Sequence, residues 1–460
     1  MDRDSRSVAH VIGVVGGGWA GCAAAVALAR AGFRVALFEA AAVPGGRART
    51  VLRDGLPLDN GEHLLLGAYR DTLALAALLH KDEREPPWRI EPLSIAPLAR
   101  TQSRALALRV RDVPAPLGLL VALLAADGLS AREKAATIGW FARQRRAGFR
   151  CGDADTVADV LRGSPPHAAA ALWTPICLAA LNTPPARASG QVFLNVLREA
   201  FDGDRHASQM IVARHGLGAA VPERAIDWLR ARGHDVHLSR KVSVGGAPDG
   251  VRLLHTDGQV RVAGAVIAVG AHQLQTIFDR SLAGANPALC AALGHMDSLS
   301  FESITTIYAG YAGRVSLPRA LVRLDDAPGQ WVFDRADILA RATGTPASIE
   351  TLLSVVISGS GPHDHLDHPA LVAAVDAQLR RLSPRLPALC WSQVFAERRA
   401  TYACVPGLVR PSCGRLAPNL YLAGDYSYAA FPATLEAAVR SGNAAAAAVA
   451  ADLGAASGSA

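Results

Sequence analysis

The stretch VIGVVGGGWAGCAAAVALARAGFRVALFE, residues 11–39, decides the fold of this chain. An apolar run leads into the pattern G-x-G-x-x-G at Gly16, Gly18 and Gly21, and a helical segment, a second apolar run and Glu39 follow. Strand, glycine turn, helix, strand and acid in this order are typical of a dinucleotide site. Glu39 is placed to accept hydrogen bonds from a ribose diol. The stretch therefore predicts a β-α-β unit that binds an adenine dinucleotide.

Each glycine of the pattern has its own physical role. Gly16 permits the tight turn out of the strand, Gly18 lets the backbone approach a pyrophosphate, and Gly21 lets the helix pack closely on the sheet. The helix offers unpaired N–H groups and the positive end of its dipole to the phosphates. Trp19 and Ala20 therefore join the three glycines in the predicted cofactor-binding set.

Two polar segments beyond Glu39 are also candidates for this site. The loop containing Gly46 and Arg47 can wrap the dinucleotide from the other side, with Arg47 as a permanent cation and donor. Residues 59–63, DNGEH, place Gly61 among four polar residues just before an apolar run. This density indicates backbone that passes close to a ligand. An ordinary turn before a strand is the alternative.

The C-terminal region repeats the arrangement of strand, glycine turn and helix. Gly424 and Asp425 follow an apolar run, and the last helix opens near Thr434 and Leu435. A second helix N-terminus facing the cofactor would place a positive dipole near negative charge that develops on it. We therefore include these four residues in the predicted cofactor-binding set.

Composition and charge exclude several classes of partner. The chain has 460 residues, half of them hydrophobic, and a formal net charge of +7. The basic charge is almost all arginine, since only Lys81, Lys134 and Lys241 are lysines. No basic run is interleaved with aromatic residues, so nucleic acid is not expected as a partner. The charge is compatible with an anionic membrane surface, although a genomic bias towards arginine explains it equally well.

The cysteines and apolar runs indicate where the protein works. Seven cysteines are scattered without C-x-x-C pairs, which fits a reducing compartment and predicts neither a disulfide framework nor a metal site. The N-terminal residues leave no room for a signal peptide. No uncharged apolar run is long enough to span a bilayer. We expect a cytoplasmic protein, at most peripheral on the inner face of the cell membrane.

Alternating textures along the chain predict an interrupted architecture. Residues 1–90, 206–275 and 399–453 are assigned to a cofactor domain, and the separate segments 91–205 and 276–398 to a substrate domain. In the middle stretch, DVHLSRKVSVGG is interpreted as one strand. The tail 454–460 is expected to be disordered.

The region 113–146 has a texture of its own. A strongly apolar part, PAPLGLLVALLAADGL, precedes a basic amphipathic helix for which Ser130 is a plausible N-cap. The apolar part is too short to span a membrane, but it could lie in a bilayer interface. A core helix of the substrate domain is the equal alternative.

Several of these phrases together resemble the flavin-containing amine oxidase and phytoene desaturase superfamily. They are GGGWAG with its acid, GGRART, DNGEHLLLG and LAGDYSYAAFPATLEAAVRSG. Within it, LWTPICLAALNTPPARASGQVFLNVLREAF and ERRATYACVPGLVRP resemble the hydroxysqualene dehydroxylase branch of bacterial hopanoid synthesis. The likeness spans nearly the whole chain. Glu62 departs from the branch, for which glutamine is expected before the histidine.

The resemblance implies FAD and an α/β fold. Its Rossmann-like FAD-binding domain would be of the glutathione-reductase type, with an interrupting α+β substrate domain and a helical, membrane-facing segment. It also implies that Val242 contacts FAD. The implied reaction gives hydride from reduced flavin to an alcohol-bearing, apolar C30 isoprenoid, so that water leaves and squalene forms. Since no second dinucleotide pattern is present, a separate electron donor is expected.

The resemblance also implies an acid, because a hydroxyl leaves only when it is protonated. Glu62 and His63 are the candidate catalytic residues, and burial beside a flavin would keep the proton on a carboxylic acid. The alternative is that both only hold backbone around the flavin ring. Three other functions stay open: a carotenoid or phytoene-type desaturase, a flavin amine oxidase, and a prenyl-lipid escort protein without catalysis.

Overall fold

The computed structural model describes residues 11–454, apart from 99–104, 115, 248–249, 345 and 347. The strands of this part of the chain are, in order, β1 (Val11–Val15), β2 (Arg34–Phe38), β3 (Thr50–Arg53), β4 (Leu56–Asp59), β5 (Leu65–Leu66), β6 (Trp88–Glu91), β7 (Ser94–Ile95), β8 (Leu108–Arg109), β9 (Met210–Ala213), β10 (Asp235–His237), β11 (Ser243–Ala247), β12 (Gly250–His255), β13 (Gly258–Val262), β14 (Gly264–Ile267), β15 (Phe301–Tyr311), β16 (Leu321–Arg323), β17 (Trp331–Asp334), β18 (Thr351–Ser358), β19 (Leu389–Tyr402), β20 (Gly414–Ala417) and β21 (Leu420–Leu422).

The helices of the same residues connect these strands. They are α1 (Trp19–Arg30), α2 (Arg70–Leu79), α3 (Leu117–Ala125), α4 (Ala131–Arg146), α5 (Val157–Leu161), α6 (Pro166–Ala168), α7 (Thr174–Leu181), α8 (Gly190–Phe201), α9 (Leu217–Ala220), α10 (Pro222–Arg230), α11 (Ala271–Ile277), α12 (Arg280–Ala285), α13 (Pro287–Asp297), α14 (Ala336–Leu339), α15 (His368–Leu382) and α16 (Leu435–Val449).

A six-stranded sheet in the order β10-β2-β1-β14-β21-β20 organises the cofactor side of the molecule. The first five of these strands are parallel, and β20 pairs antiparallel at the edge. Parallel neighbours need crossover connections, so strands distant in sequence lie side by side. The strands of this sheet are drawn from residues 11–38, 235–267 and 414–422. They all fall within the three stretches assigned to the cofactor domain.

The two faces of this sheet are covered by different structures. Helices α1, α10 and α16 pack on one face through small and branched side chains such as Ala24, Leu229 and Val449. The antiparallel sheet β11-β12-β13 covers the other face. A Cβ at Gly13 in β1 would lie 2.7 Å from Leu253 Cδ1. The glycine therefore allows the second sheet to approach closely.

A five-stranded antiparallel sheet, β16-β17-β18-β15-β19, lies in the region between β14 and β20 of the chain. Helix α15 packs on it through Leu371, Val375 and Leu379. Smaller sheets pair β3 with β4, β7 with β8, and β9 with both β5 and β6. Mixed helices and antiparallel strands therefore form this second part of the fold.

One predicted strand is wrong. Residues 235–246, interpreted as a single strand, are divided between β10 in the parallel sheet and β11 in the three-stranded sheet. Between them Ser239 adopts a left-handed backbone with a φ of 54°, which strand geometry does not accommodate. The predicted disordered tail lies outside the described residues except for Gly454, which ends a short π-helical turn.

The region 113–146 contains two helices, α3 and α4, that pack together. Ser130 caps α4: its hydroxyl accepts a hydrogen bond from Glu133 N, and the Glu133 carboxylate accepts one from Ser130 N. Among the described residues, no helix combines the length and apolarity that a membrane crossing needs. Residue 115, within the predicted apolar part, lies outside the described residues.

Candidate functional site

The first glycine turn, residues 16–21, leaves no room for side chains at two of its positions. Gly16 has a φ of +106°, and a Cβ there would lie 2.5 Å from Ala268 O. A Cβ at Gly21 would lie 1.8 Å from Gly16 O. The chain thus turns at Gly16 beside the end of β14. Gly21 lets the first turn of α1 pack against the backbone of Gly16.

Gly18 differs because a Cβ there would meet no close atom. The nearest atom would be Gly46 Cα, 4.0 Å away, which is ordinary contact. Gly45 N donates a hydrogen bond to Gly17 O over 2.8 Å, which holds the second glycine turn, residues 45–47, against the first. The two turns therefore lie side by side and form one strip of backbone.

The first residues of α1 are buried beneath this strip. Trp19 and Ala20 are only 3% and 5% exposed. The Trp19 indole N–H donates to Ala48 O over 3.3 Å, which ties α1 to the second glycine turn. Since the side chains of Trp19 and Ala20 point into the core, their backbone is the part that can contact a ligand.

Glu39 lies at the end of β2 beside the first glycine turn. Its Oε2 accepts a hydrogen bond from Gly17 N over 2.6 Å, and its Oε1 accepts one from Ala41 N over 2.8 Å. The carboxylate is thus held next to the turn by backbone donors. This is the position in which an acid can receive hydroxyl groups of a ribose.

The third turn, residues 424–425, joins the other two through an ion pair. Arg47 Nη2 lies 2.6 Å from Asp425 Oδ1, and Arg47 Nη1 donates to Ala400 O over 2.6 Å. Asp425 is nine-tenths buried, whereas about a third of the Arg47 side chain is exposed. The structure therefore brings the three turns together at one place.

Helix α16 passes close to the same place. Thr434 caps it by accepting a hydrogen bond from Ala437 N, and Leu435 is buried in its first turn. A Cβ at Gly442 would lie 2.2 Å from Ala20 O, so the middle of α16 crosses the start of α1 in close contact. Gly424 N donates to Ser441 Oγ over 2.8 Å, which holds the third turn against α16.

Val242 and Gly61 complete the predicted cofactor-binding set. Val242 is 6% exposed and lies one residue before β11, in the large core cluster. Gly61 has free space beside its Cα, since only His63 Cε1 comes within 4 Å of a Cβ placed there. Contact between these residues and a cofactor stays a prediction.

His63 has one ring nitrogen occupied by the backbone. Its Nδ1 lies 2.7 Å from Gly61 O, so Nδ1 carries the proton and donates it there. The side chain is half-buried. Burial lowers the pKa of His63, and the nearby Arg47 acts in the same direction. The ring is therefore neutral at neutral pH, with Nε2 as its open acceptor.

Glu62 belongs to a buried acid cluster, which we define as Asp59, Glu62, Tyr308 and Arg335. Arg335 Nε lies 3.3 Å from Glu62 Oε2, and Arg335 Nη2 lies 3.9 Å from Asp59 Oδ2. The Tyr308 hydroxyl is 3.3 Å from Glu62 Oε2 and 3.2 Å from Asp59 O. The side chains of Glu62 and Arg335 are 1% exposed, and that of Asp59 is fully buried.

Sequence reasoning missed Arg335 and Tyr308. Tyr308 lies in β15, and Arg335 lies between β17 and α14, where its guanidinium also donates to Ala213 O over 3.1 Å. Neither residue belongs to a recognisable pattern. An arginine directly after the apolar run WVFD is the only local signal, and it does not identify the partners. In the described residues, no three His, Cys, Asp or Glu side chains form a metal-binding group.

Comparison with known proteins places this geometry in a family. The model of the family "Flavin containing amine oxidoreductase" matches residues 19–450. The hydroxysqualene dehydroxylase of Rhodopseudomonas palustris is 29% identical to this chain, over 95% of this chain and 98% of the relative. That of Zymomonas mobilis is 25% identical, over 96% of this chain and 98% of the relative. Zeta-carotene desaturase of Synechocystis is 24% identical, covering 95% of this chain and 96% of its own.

Solved structures show the same fold at lower identity. An oxidoreductase from Methanosarcina mazei superimposes with a TM-score of 0.72 at 14% identity, over 95% of this chain and 99% of its own. The matched residues of the family model include the end of the first glycine turn, the other two turns, helices α1 and α16 and the buried acid cluster. The chain therefore belongs to the flavin-containing amine oxidoreductase family.

Proposed function

We propose that this FAD-dependent oxidoreductase removes the hydroxyl group of hydroxysqualene reductively and forms squalene. The observation that carries the proposal is the likeness to the Rhodopseudomonas palustris hydroxysqualene dehydroxylase, which covers 95% of this chain and 98% of that enzyme. A likeness over nearly the full length of both proteins supports the same reaction in this chain.

The residues of the site fit FAD. The strip of backbone formed by Gly18 and Gly46 carries no side chain that would block a pyrophosphate, and the first turn of α1 supplies backbone N–H groups there. Glu39 would hold the adenosine ribose, and Arg47 with Asp425 would lie at the hydroxyl-bearing linker or the ring. Bound FAD would supply hydride in its reduced form. We infer the glutathione-reductase type of domain from the three-stranded sheet that covers β1.

We further propose the division of the chain into two domains. Residues 1–90, 206–275 and 399–453 would bind FAD, and the segments 91–205 and 276–398 would bind the substrate. The origin of the six sheet strands supports the first assignment. The antiparallel sheet around β15 supports the second.

The protein's part of the reaction is to protonate, orient and exclude water. The hydroxyl must leave as water, so a proton has to reach its oxygen while the carbon accepts hydride. Glu62 and His63 stay the proposed catalytic residues. His63 is neutral and can relay a proton through Nε2, whereas the buried environment of Glu62 favours keeping one.

An anaerobic turnover tests the proposed reaction. Chemically reduced holoenzyme mixed with hydroxysqualene is expected to form squalene, one molecule per flavin, while the absorption bands of oxidised flavin return. Gas chromatography measures the product, and oxidised holoenzyme is the control. Flavin that stays reduced, together with unchanged hydroxysqualene, would reject the proposal.

The second candidate is a carotenoid-type desaturase, which the similarity to the Synechocystis zeta-carotene desaturase supports. That reaction runs in the oxidative direction. Oxidised holoenzyme offered zeta-carotene under anaerobic conditions would then lose its flavin bands and extend the conjugation of the substrate. The two substrates, compared on the same preparation, separate the candidates.

Electrons are proposed to come from a separate donor. The glycine-rich segment 358–361, SGSG, follows the apolar strand β18 and leads into a 3₁₀ turn at Pro362–His365. A turn of this kind lacks the long helix whose N-terminus a second dinucleotide needs.

We propose peripheral contact with the inner face of the cell membrane through α3. The outer stripe, defined as Leu117, Leu120, Val121, Leu124 and Ala125, follows helical spacing on the side away from the core. Leu117 and Leu124 are 50% and 58% exposed. Free apolar side chains on one helix face are typical of helices that lie in a bilayer interface.

The surroundings of the outer stripe carry positive charge. Lys134 Nζ donates to Leu124 O over 2.9 Å, and the exposed Arg132, Arg143 and Arg146 belong to the same helix α4. Basic residues near an anionic lipid surface contribute about 1 kcal/mol each. The apolar stripe and the basic helix therefore fit an anionic membrane.

A cavity of about 430 Å³ between α3 and α4 extends this apolar surface inward. It is lined by Pro116, Leu119, Leu120, Leu123, Ile138, Phe141, Ala142, Arg145, Arg146 and Asp202. A C30 chain already lies in hydrocarbon when it is dissolved in a membrane, so transfer into the protein gains little free energy. Docking on the bilayer would spare such a substrate the passage through water.

Replacing both Leu117 and Leu124 by aspartate is expected to weaken vesicle binding at least about tenfold, because two charges replace apolar contacts with lipid. Flotation with vesicles that contain phosphatidylglycerol measures the bound fraction. Leu366→Asp, at a leucine that is 42% exposed outside α3, is the matched control. Equal flotation of the double variant and this control would reject the contact.

A further inference from the structure

We propose that Asp59 and Glu62, paired with the single guanidinium of Arg335, share one proton and form the store from which the departing hydroxyl is protonated. This inference rests on the proposed dehydroxylation and assigns the source of its proton. Asp59 and Arg335 would be positioning residues in this scheme, and Glu62 would pass the proton on.

The first argument is a count of buried charge. The side chains of Asp59, Glu62 and Arg335 are at most 1% exposed, so water does not solvate them. Two ionised carboxylates against one guanidinium would leave a net negative charge in the core. Burying an unpaired charge is costly, and one of two carboxylates at a shared site therefore keeps its proton.

The second argument is that hydrogen bonds stabilise the ionised form of the two acids unequally. Asp59 Oδ1 accepts from the Thr50 hydroxyl over 2.6 Å and from Leu217 N over 2.8 Å. At Glu62 Oε2, the Tyr308 hydroxyl has one proton to donate, and the backbone oxygen of Asp59 lies at a similar distance from it. A carboxylate with more donors ionises more readily. The shared proton is accordingly expected to reside mainly on Glu62.

The third argument is the unsatisfied bonding inside the cluster. Asp59 Oδ2 and the Nε and Nη2 atoms of Arg335 are buried and make no hydrogen bond. Glu62 Oε2 lies within ion-pair distance of that Nε but outside hydrogen-bond geometry. A purely structural ion pair is stable only when such groups are fully bonded. An incompletely bonded cluster fits a group whose charge changes during the reaction.

Several other groups act on the two carboxyls. Burial raises the pKa of Glu62, Arg335 lowers it, and Asp59 raises it again, while Ser354 and His63 lower it by smaller amounts. Thr306 on β15 faces Glu62 through its hydroxyl, which accepts from Glu62 N over 3.3 Å. The net direction for Glu62 is upward.

Asp59 and Arg335 have further charged neighbours. Burial raises the pKa of Asp59 most strongly, and Glu223 on α10 also raises it, whereas Arg335 lowers it. Asp337 on α14 acts on Arg335 and favours its charged form. The guanidinium therefore stays charged, and the single proton is left to the two acids.

The acid cluster lies next to the segment that reaches the junction of the three turns. Glu62 and His63 are adjacent in one turn, and His63 is close enough to Arg47 for that charge to lower its pKa. In this scheme the C–O bond would break with its electron pair on oxygen, and the stored proton would complete a water molecule. FAD held by the three turns would, when reduced, supply the hydride that the carbon needs. A proton from solvent then restores the acid pair.

Infrared spectroscopy of oxidised holoenzyme tests the shared proton without turnover. Wild type is expected to show the C=O stretch of a buried carboxylic acid. Asp59→Asn and Glu62→Gln should each remove it, because one carboxylate then faces one guanidinium and ionises. Glu302→Gln is the matched control, since Glu302 is buried but has its own partner, Arg187, at 3.0 Å. A band that is missing in wild type or survives both variants overturns the proposal.

The pH dependence of single-turnover dehydroxylation tests the role of this proton. The rate should fall as pH rises through the raised pKa of the pair of acids, since the pair then loses its proton. Glu62→Gln should slow the step about 10²–10⁴-fold at every pH. Asp59→Asn removes a like charge, so the falling limb should move to lower pH and acid should restore the rate. Tyr308→Phe removes a donor to the ionised form, so the limb should move to higher pH.

The opposite shifts distinguish a proton store from a structural cluster. Damage to structure would lower the rate of both variants without moving the limb in opposite directions, and that result would overturn the proposal. A wild-type enzyme that shows the infrared band but forms no squalene would support the shared proton while rejecting the proposed substrate.

Discussion

Replacing Arg335 by methionine is expected to lower the free energy of unfolding by about 3–5 kcal/mol, because two buried carboxylates lose the guanidinium that they share. The loss should grow with pH. Without the guanidinium, the pKa values of Asp59 and Glu62 rise further, so the folded state holds protons that the unfolded chain releases above its ordinary carboxyl pKa. Urea unfolding followed by tryptophan fluorescence at several pH values measures both effects.

Arg314→Met is the matched control for this experiment. Arg314 also has an acidic neighbour, Glu350 at 3.7 Å, but its side chain is 92% exposed. An exposed pair contributes little because water and salt screen it, so this variant should unfold like wild type at every pH. If Arg335→Met were as stable as the control, the buried acid cluster would not hold its charges in the way described.

The second large effect is expected for Gly21→Ala, which should yield protein with little bound flavin. The added Cβ would lie 1.8 Å from Gly16 O, a distance at which the first glycine turn must move. Strain from overpacking typically costs about 1–3 kcal/mol. If it is released by opening the turn, FAD binding weakens by roughly 5–150-fold. The ratio of flavin to protein absorbance and a titration of apoprotein with FAD measure the loss.

Gly294→Ala is the control for this loss. Gly294 lies inside α13 with no atom within 4 Å of an added Cβ and with an ordinary helical backbone. Alanine should therefore stabilise the helix by about 0.5–1 kcal/mol and leave the flavin content unchanged. Circular dichroism shows whether Gly21→Ala keeps its fold. A folded Gly21→Ala variant with full flavin content would mean that the turn adapts without disturbing the site.

The sequence was informative where local patterns control structure. The glycines at 16 and 21 are required by contacts within one turn, so their spacing alone predicted that turn. Ser130 likewise caps α4 through residues three positions apart. The strand predicted at 235–246 is wrong because local patterns do not control the structure there. Its apolar residues suit a strand, but the left-handed residue Ser239 and the change of sheet depend on neighbours distant in sequence.

The acid cluster could not be predicted because its members are brought together by tertiary structure. The DNGEH segment marks Glu62 as a candidate, but Arg335 comes from a part of the chain that is distant in sequence. Nothing near Arg335 in sequence marks it as the partner of two acids. Periodicity indicates which positions are buried, but it does not identify which buried charges meet.

The ion pair between Arg47 and Asp425 joins residues 378 positions apart, and this separation has a consequence for biosynthesis. A ribosome must synthesise the chain as far as Val449 before the third turn and α16 can join the first two. The nascent chain consequently emerges with an unfinished nucleotide cleft, and stable capture of the vitamin-derived coenzyme follows the synthesis of α16. A supply of flavin at that moment, rather than during elongation, would govern how much newly made enzyme becomes active.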